Sequence, residues 1–185
     1  MPQDELSGPD LAGVVADADA VGLDYVVIGG FSVIYHGHVR ATKDSDLLVP
    51  DGPDADAAVL RFLERVDGRR LRDGKVLTPD DVAGGEHLRI NSRRGIVDLM
   101  RGGLPPLDYD TVARRAETTE WNGQTVRVAA LASVVGFKRL AGRPQDRGDL
   151  AELEAVYGEL PIEPIPGLDD ITEPANEGGA RPADV

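Results

Sequence analysis

Apolar positions change period along the chain, and the changes mark out its elements. Over residues 9–22, Leu11, Val14, Val15, Ala18 and Val21 recur at helical spacing before Gly22 ends the run. Tyr25-Val26-Val27-Ile28 is a short apolar block with a β-branched centre, the pattern of a buried strand. Gly29-Gly30 interrupts it, and Phe31 to His36 read as a short helix. Asp46-Leu47-Leu48-Val49 predicts a second strand, stopped by Pro50. From Pro53 to Val66 a proline sits in the first turn and Ala58, Leu60, Phe62, Leu63 and Val66 supply apolar faces, which predicts a helix.

Residues 68–78 are charged and punctuated by glycine, a loop or a poor strand. Thr78-Pro79-Asp80-Asp81 starts a helix that Gly84-Gly85 cuts short. His87 to Asn91 and Ile96 to Met100 read as two strands around a turn at Arg93-Arg94-Gly95. Tyr109 to Ala116 follows as a helix, and Asn122-Gly123 signals a hairpin returning along Thr125 to Ala129. Leu131 to Leu140 and Asp149 to Tyr157 are helices joined through Gly142-Arg143-Pro144. The sum is an α/β (α+β) chain with a mixed sheet, flanking helices and a helical C-terminal part. The boundaries fall at 1–130 for the core, 131–159 for the helical part and 160–185 for an acidic tail. Five prolines in that tail predict disorder, or a segment laid loosely on the body.

Charge changes the picture only when it is localised. The net charge of −13 argues against nucleic-acid binding when taken alone. Residues 1–24 hold six acids and no base, however, and residues 163–185 hold six acids and one base, so residues 25–162 come to only −2. Three of the 20 basic residues are lysines, Lys43, Lys75 and Lys138; the rest are arginines, which suit carboxylate and phosphate but also decorate ordinary solvated faces. With no cysteine, disulfides and thiolate metal sites are excluded. No signal peptide or bilayer-length apolar run is visible, so the chain reads as soluble and cytoplasmic, with no membrane partner.

Several site types fail. There is no G-x-G-x-x-G, and Gly68 to Lys75 has five residues between its glycines and Val76 where a P-loop needs Ser or Thr. Ser32 lacks the closing glycine of a nucleophile elbow, and three histidines without cysteines make no zinc signature. Carboxylates are more informative. D-x-D occurs at Asp17/Asp19, Asp44/Asp46, Asp54/Asp56 and Asp108/Asp110. Only Asp44/Asp46 opens an apolar strand, where i and i+2 share a face roughly 6.5–7 Å apart. Two carboxylates so placed can hold a divalent metal pair. Asp98 sits inside the apolar strand Ile96-Val97-Asp98-Leu99-Met100. Either it faces solvent or pairs with an arginine such as Arg94, or its strand lies beside Asp44–Val49 and three carboxylates converge.

Ile28-Gly29-Gly30-Phe31-Ser32 followed by Asp44-Ser45-Asp46-Leu47-Leu48 resembles the signature of the DNA polymerase β-like nucleotidyltransferase superfamily. The string His36 to Asp46 resembles the branch of abortive-infection (AbiEii-type) nucleotidyltransferase toxins, and Gly95-Ile96-Val97-Asp98-Leu99 is similar to their third-carboxylate strand. Lys138 with Arg143-Pro144-Gln145-Asp146-Arg147-Gly148-Asp149-Leu150 resembles their C-terminal motif, with Gln145 in place of the usual lysine.

The resemblance implies transfer of a nucleotide from a nucleoside triphosphate to an acceptor hydroxyl, with Mg²⁺ or Mn²⁺ as cofactor in a two-metal arrangement. Asp44, Asp46 and Asp98 would be the metal ligands and, with Lys138, the catalytic group. Gly29, Gly30 and Ser32 would approach the triphosphate. Arg40, Arg143 and Lys138 would clamp phosphates, and Asp146 or Asp149 would orient Lys138 or the base. The acceptor implied is an RNA 3′ end, in particular tRNA, as for the toxin relatives, and a cognate antitoxin is the implied protein partner. Arginine pairs at Arg69-Arg70, Arg93-Arg94 and Arg114-Arg115 favour RNA, and the acidic termini oppose it. Two alternatives stay open: a small-molecule, antibiotic-type nucleotidyltransferase, and a non-catalytic nucleotide-binding or antitoxin-like protein.

Overall fold

The computed structural model describes residues 8–170. Its elements, in chain order, are α1 (Leu11–Ala20), β1 (Val26–Val27), α2 (Gly29–Tyr35), β2 (Asp44–Leu48), α3 (Pro53–Arg65), β3 (Arg69–Arg70), α4 (Pro79–Ala83), β4 (His87–Ser92), β5 (Gly95–Met100), α5 (Tyr109–Arg115), β6 (Glu117–Trp121), β7 (Gln124–Val128), α6 (Leu131–Ala141) and α7 (Pro144–Tyr157). The strands form one seven-stranded sheet in the order β3-β4-β5-β2-β1-β7-β6. It is mixed: β2/β5 and β1/β7 run parallel, and the other neighbours antiparallel.

Local chemistry sets the helix ends. Asp10 caps α1 by accepting from Gly13 N–H at 2.9 Å. α4 has a capping box between Thr78 and Asp81. In α3, Pro53 occupies the first turn, Asp54 and Asp56 face the N-terminal dipole, and Arg65 lies in the last turn. Its buried residues Ala55, Ala58, Val59, Phe62 and Leu63 form the stripe that packs on the sheet.

Strand alternation divides the core in two. Leu47, Val49, Ile90, Val97 and Leu99 face one side, under α1 and α3. Val26, Ile28 and Leu48 face the other, with Val134 of α6 and Leu153 of α7. The C-terminal helices thus share a core with β1, β2 and α2. Asp17 on α1 is buried and takes hydrogen bonds from Arg65 at 2.8 Å, Arg93 at 2.8 Å and Arg94 at 2.9 Å. Burial pushes its carboxyl up, but the bonds from Arg94 and Arg65 outweigh that and hold it low. This one carboxylate ties α1 to the end of α3 and to the β4–β5 turn.

Two expectations need correction. The last helix begins at Pro144 rather than Asp149, because Pro144 takes the first helical position and Asp146 accepts from the Arg143 N–H at 3.1 Å. The segment 160–170 is not a loose tail. Ile165 is buried to 5% exposure, Arg115 pairs with Glu163 at 2.7 Å, and Arg139 pairs with Asp169. The remainder of the predicted tail, 171–185, lies outside the described residues.

Candidate active site

β2 and β5 run parallel in a register that sets Asp46 beside Asp98 and Asp44 beside Ile96. Asp44, Asp46 and Asp98 therefore point to one face, the same face as Leu48 and Val26. Each offers a carboxylate oxygen, and the three oxygens lie within 4.8 Å of one another. Asp98 does not face solvent, being buried to 3% exposure, and it both converges with Asp44 and Asp46 and pairs with an arginine, Arg89 rather than Arg94. Arg94 is committed elsewhere, to Asp10 at 2.8 Å and to Asp17.

Crowding shows in the proton affinities. Asp46 is pushed up to about 6, first by burial and then by Asp44 and Asp98; the Gly30 N–H and Lys138 pull the other way. Burial also raises Asp98, against the pull of Arg89 and His87. Three hard oxygen donors that repel one another on an apolar sheet suit a divalent cation such as Mg²⁺ or Mn²⁺.

Two residues that the sequence reading passed over complete this side. Arg89 on β4 pairs with Asp44 at 2.9 Å and with Asp98 at 3.1 Å. His87 Nε2 stands 3.2 Å from Asp98 Oδ1. The signal was there: His87, Arg89 and Asn91 alternate with Leu88 and Ile90, and the hairpin register puts Arg89 opposite Asp98.

On the other side of the carboxylates, Gly29 and Gly30 open α2. Gly29 has φ +62°, and a Cβ there would fall 1.9 Å from Asp46 Oδ2. A Cβ on Gly30 would lie 2.4 Å from Thr42 Oγ1. The glycine pair is thus required first by the approach of β2, and Gly30 N–H donates to Asp46 Oδ2 at 3.4 Å. Ser32 is fully buried, and its hydroxyl donates to the Gly29 carbonyl at 2.8 Å.

Lys138, Asp146 and Asp149 are brought together by α6 and α7, with Arg40 and Arg143 at the edges. Lys138 Nζ lies 2.9 Å from Asp146 and 2.8 Å from Asp149. Asp149 also meets Arg40 at 2.8 Å and His38 at 3.6 Å. Arg143 is exposed and binds Asp146 at 2.7 Å. Burial raises Asp146, but Arg143 and Lys138 outweigh it and hold the carboxyl at about 2. Lys138 itself is buried to 5% exposure, so it is enclosed by its two aspartates rather than open to solvent. The cluster borders the carboxylates, since Lys138 acts on Asp46 and Arg143 feels Asp46 and Asp44.

The arginine pairs are occupied internally. Arg69 binds Asp67 at 2.9 Å, Arg70 binds Asp81, Arg93 and Arg94 bind Asp17, and Arg115 binds Glu163. Arg114 donates to Thr111 Oγ1 at 3.2 Å. Among the described residues no helix is long and apolar enough to cross a membrane.

No protein-family model matches the sequence, and no curated protein sequence matches it either. The likeness is in the fold, which this chain shares with solved structures of antibiotic-modifying proteins. The chain is similar to the crystal structure of the lincosamide antibiotic adenylyltransferase LnuA, lincomycin-bound, with a TM-score of 0.56 and 13% identity over 80% of this chain and 96% of that one. It is similar to the solution structure of the antibiotic-resistance factor ANT(2'')-Ia, with a TM-score of 0.55 and 13% identity over 78% of this chain and 80% of that one. A crystal structure of ANT(2")-Ia in complex with adenylyl-2"-tobramycin gives 0.50 and 15% over 77% and 84%.

Proposed function

We propose that the protein is a metal-dependent nucleotidyltransferase that moves a nucleotide from a nucleoside triphosphate to the hydroxyl of a small acceptor. The observation that carries this is the convergence of Asp44, Asp46 and Asp98 on one sheet face, within 4.8 Å, in a fold shared with adenylyltransferases. Those three residues would hold one or two Mg²⁺ or Mn²⁺ ions, whose charge would steady the attacking and leaving oxygens of an in-line displacement. The acceptor oxygen bonds to the α-phosphorus, the α–β bridging P–O bond breaks, and pyrophosphate leaves with that electron pair. Asp98 receives the acceptor's proton and passes it to water.

The other roles follow from position. Gly29 and Gly30 make room for Asp46 and Thr42 respectively and leave backbone for the triphosphate to approach. Arg143, exposed and bound to Asp146, is the phosphate clamp. Lys138 works through position: enclosed by Asp146 and Asp149, it fixes α6 against α7 and lends positive potential to Asp46. Arg40 holds Asp149 in that arrangement. Ser32 steadies the first turn of α2.

A small acceptor is favoured over an RNA end because five of the six paired arginines that would track a phosphate backbone are bound to the protein's own acids. Incubation with α-labelled triphosphates, magnesium, a panel of small hydroxyl compounds and total RNA tests the reading. Label should move to a small compound and be lost on chelation. Label on RNA would reverse the choice of acceptor, and transfer that survives chelation would refute the metal site.

A further inference from the structure

Strand register builds Arg89 into the carboxylate face. β4 and β5 pair from His87 opposite Met100 to Ser92 opposite Gly95, which sets Arg89 across from Asp98. β5 in turn sets Asp98 across from Asp46 on β2. Directly opposed residues share a face of the sheet, so Arg89 lies on the side that carries the three aspartates. A one-residue slip would carry Val97 and Leu99, both fully buried, out of the core, and that pins the register.

Its guanidinium spans two of the three carboxylates. Nη2 donates to Asp44 Oδ2 at 2.9 Å, and Nη1 stands 3.1 Å from Asp98 Oδ2. His87 Nε2 lies 3.2 Å from the other Asp98 oxygen, Oδ1. Both oxygens of Asp98 thus already face a protein nitrogen. Among the described residues Arg89 forms ion pairs with no acid besides Asp44 and Asp98. Lys138 and Arg143 are balanced instead by Asp146 and Asp149. Arg89 therefore counts against the charge of the triad itself: three ionised carboxylates and one guanidinium leave two negative charges, which a single divalent ion balances. A guanidinium cannot shed its proton, so this positive charge is permanent. A second divalent ion on the triad would meet it at close range and be repelled.

We propose that Arg89 takes the place of one of two cations in the transfer site, so that Asp44, Asp46 and Asp98 hold a single divalent ion. The inference rests on the nucleotidyltransferase reading above and narrows it from one or two ions to one. The ion that remains is the one a triphosphate brings, since Mg²⁺ binds through one or two carboxylates together with substrate phosphates. Arg89 is a positioning residue. It holds Asp44 and Asp98 together before the ion arrives, and it keeps a positive charge beside Asp98, where the acceptor hydroxyl loses its proton. Guanidiniums serve developing negative charge in this way in other phosphoryl-transfer sites.

The test is a manganese titration of the full chain at pH 8, read by electron paramagnetic resonance. The α,β-methylene analogues of the ribonucleoside triphosphates are present, so that no turnover occurs. Two manganese ions that share carboxylates couple magnetically and lose the hyperfine pattern of an isolated ion, so the spectrum reports the count alongside the stoichiometry. The wild type should bind one manganese ion per chain and show the isolated pattern. Arg89→Gln, a change at an exposed position that removes the charge, should take up a second ion and show the coupled pattern. Arg89→Lys, which keeps the charge, should stay at one. A coupled pair in the wild type, a single ion in Arg89→Gln, or two ions in Arg89→Lys would each overturn the proposal and leave the metal site standing. If neither the wild type nor Arg89→Gln binds manganese, the metal site itself fails, and the proposal with it.

Discussion

Replacing Asp46 by Asn should stabilise the metal-free protein at neutral pH and remove its response to magnesium. Asp46 stands at about 6 because it is buried beside Asp44 and Asp98. Its folded value lies above the ordinary 3.8, so the native state binds more protons than the unfolded chain between those values. Stability is therefore lost as pH rises from about 4 to about 6, and the full cost persists above that. At about 1.36 kcal/mol per pH unit the gap is worth roughly 3 kcal/mol. Partial solvation of the site trims that figure, and about 1–3 kcal/mol is the range to look for. For a chain of this size each kcal/mol moves the melting temperature by roughly 2–4 °C. Asn still accepts the Gly30 N–H, so no hydrogen bond is forfeited. Thermal melts from pH 3.5 to 8 with a chelator should show Asp46→Asn above the wild type at pH 8, converging with it in acid. Added magnesium should raise the wild type and leave the variant unmoved. If the variant melts at or below the wild type at pH 8, or the difference does not shrink in acid, burial beside Asp44 and Asp98 is not what perturbs Asp46.

Three further outcomes follow from the same geometry. Lys138→Met leaves Asp146 and Asp149 buried without their shared cation, and urea unfolding should record a loss of about 3–5 kcal/mol. Gly29→Ala puts a methyl 1.9 Å from Asp46 Oδ2 at φ +62°, so calorimetry should find metal binding abolished while the fold survives a cost of about 1–3 kcal/mol. Ile165→Ala should destabilise by about 2 kcal/mol in denaturant melts; no change would mean that the chain beyond Leu160 is as dispensable as its composition implies.

Much of the fold was legible because period and punctuation agreed. Val26-Val27 follows from a β-branched pair stopped by glycine, Asp44–Leu48 from an apolar run stopped by Pro50, and α3 from its stripe and its Pro53 start. Asp44 and Asp46 stood out because only that D-x-D opens a strand. The convergence of Asp98 depended on strand pairing across about fifty residues of chain, which no local pattern fixes; its apolar neighbours were the one hint besides the family resemblance of Gly95 to Leu99. Arg89 and His87 were missed because charge at alternate positions of a hairpin reads as an ordinary solvated face. The arginine pairs misled for the converse reason. For Arg93, Arg94 and Arg115 the partners, Asp17 and Glu163, are distant in sequence, so their pairing is invisible before the chain folds. Ile165 was hidden by the prolines around it, since a single apolar anchor carries no period.

The central claim is that Asp44, Asp46 and Asp98 together bind a divalent cation with a nucleoside triphosphate. Manganese binding, read by electron paramagnetic resonance with each of the four ribonucleoside triphosphates, tests it without requiring an acceptor. The wild type should bind manganese and at least one triphosphate together. Asp44→Asn, Asp46→Asn and Asp98→Asn should each weaken the metal at least tenfold while circular dichroism shows the fold intact. Triphosphate binding that ignores manganese, or manganese binding untouched by all three substitutions, would contradict the account.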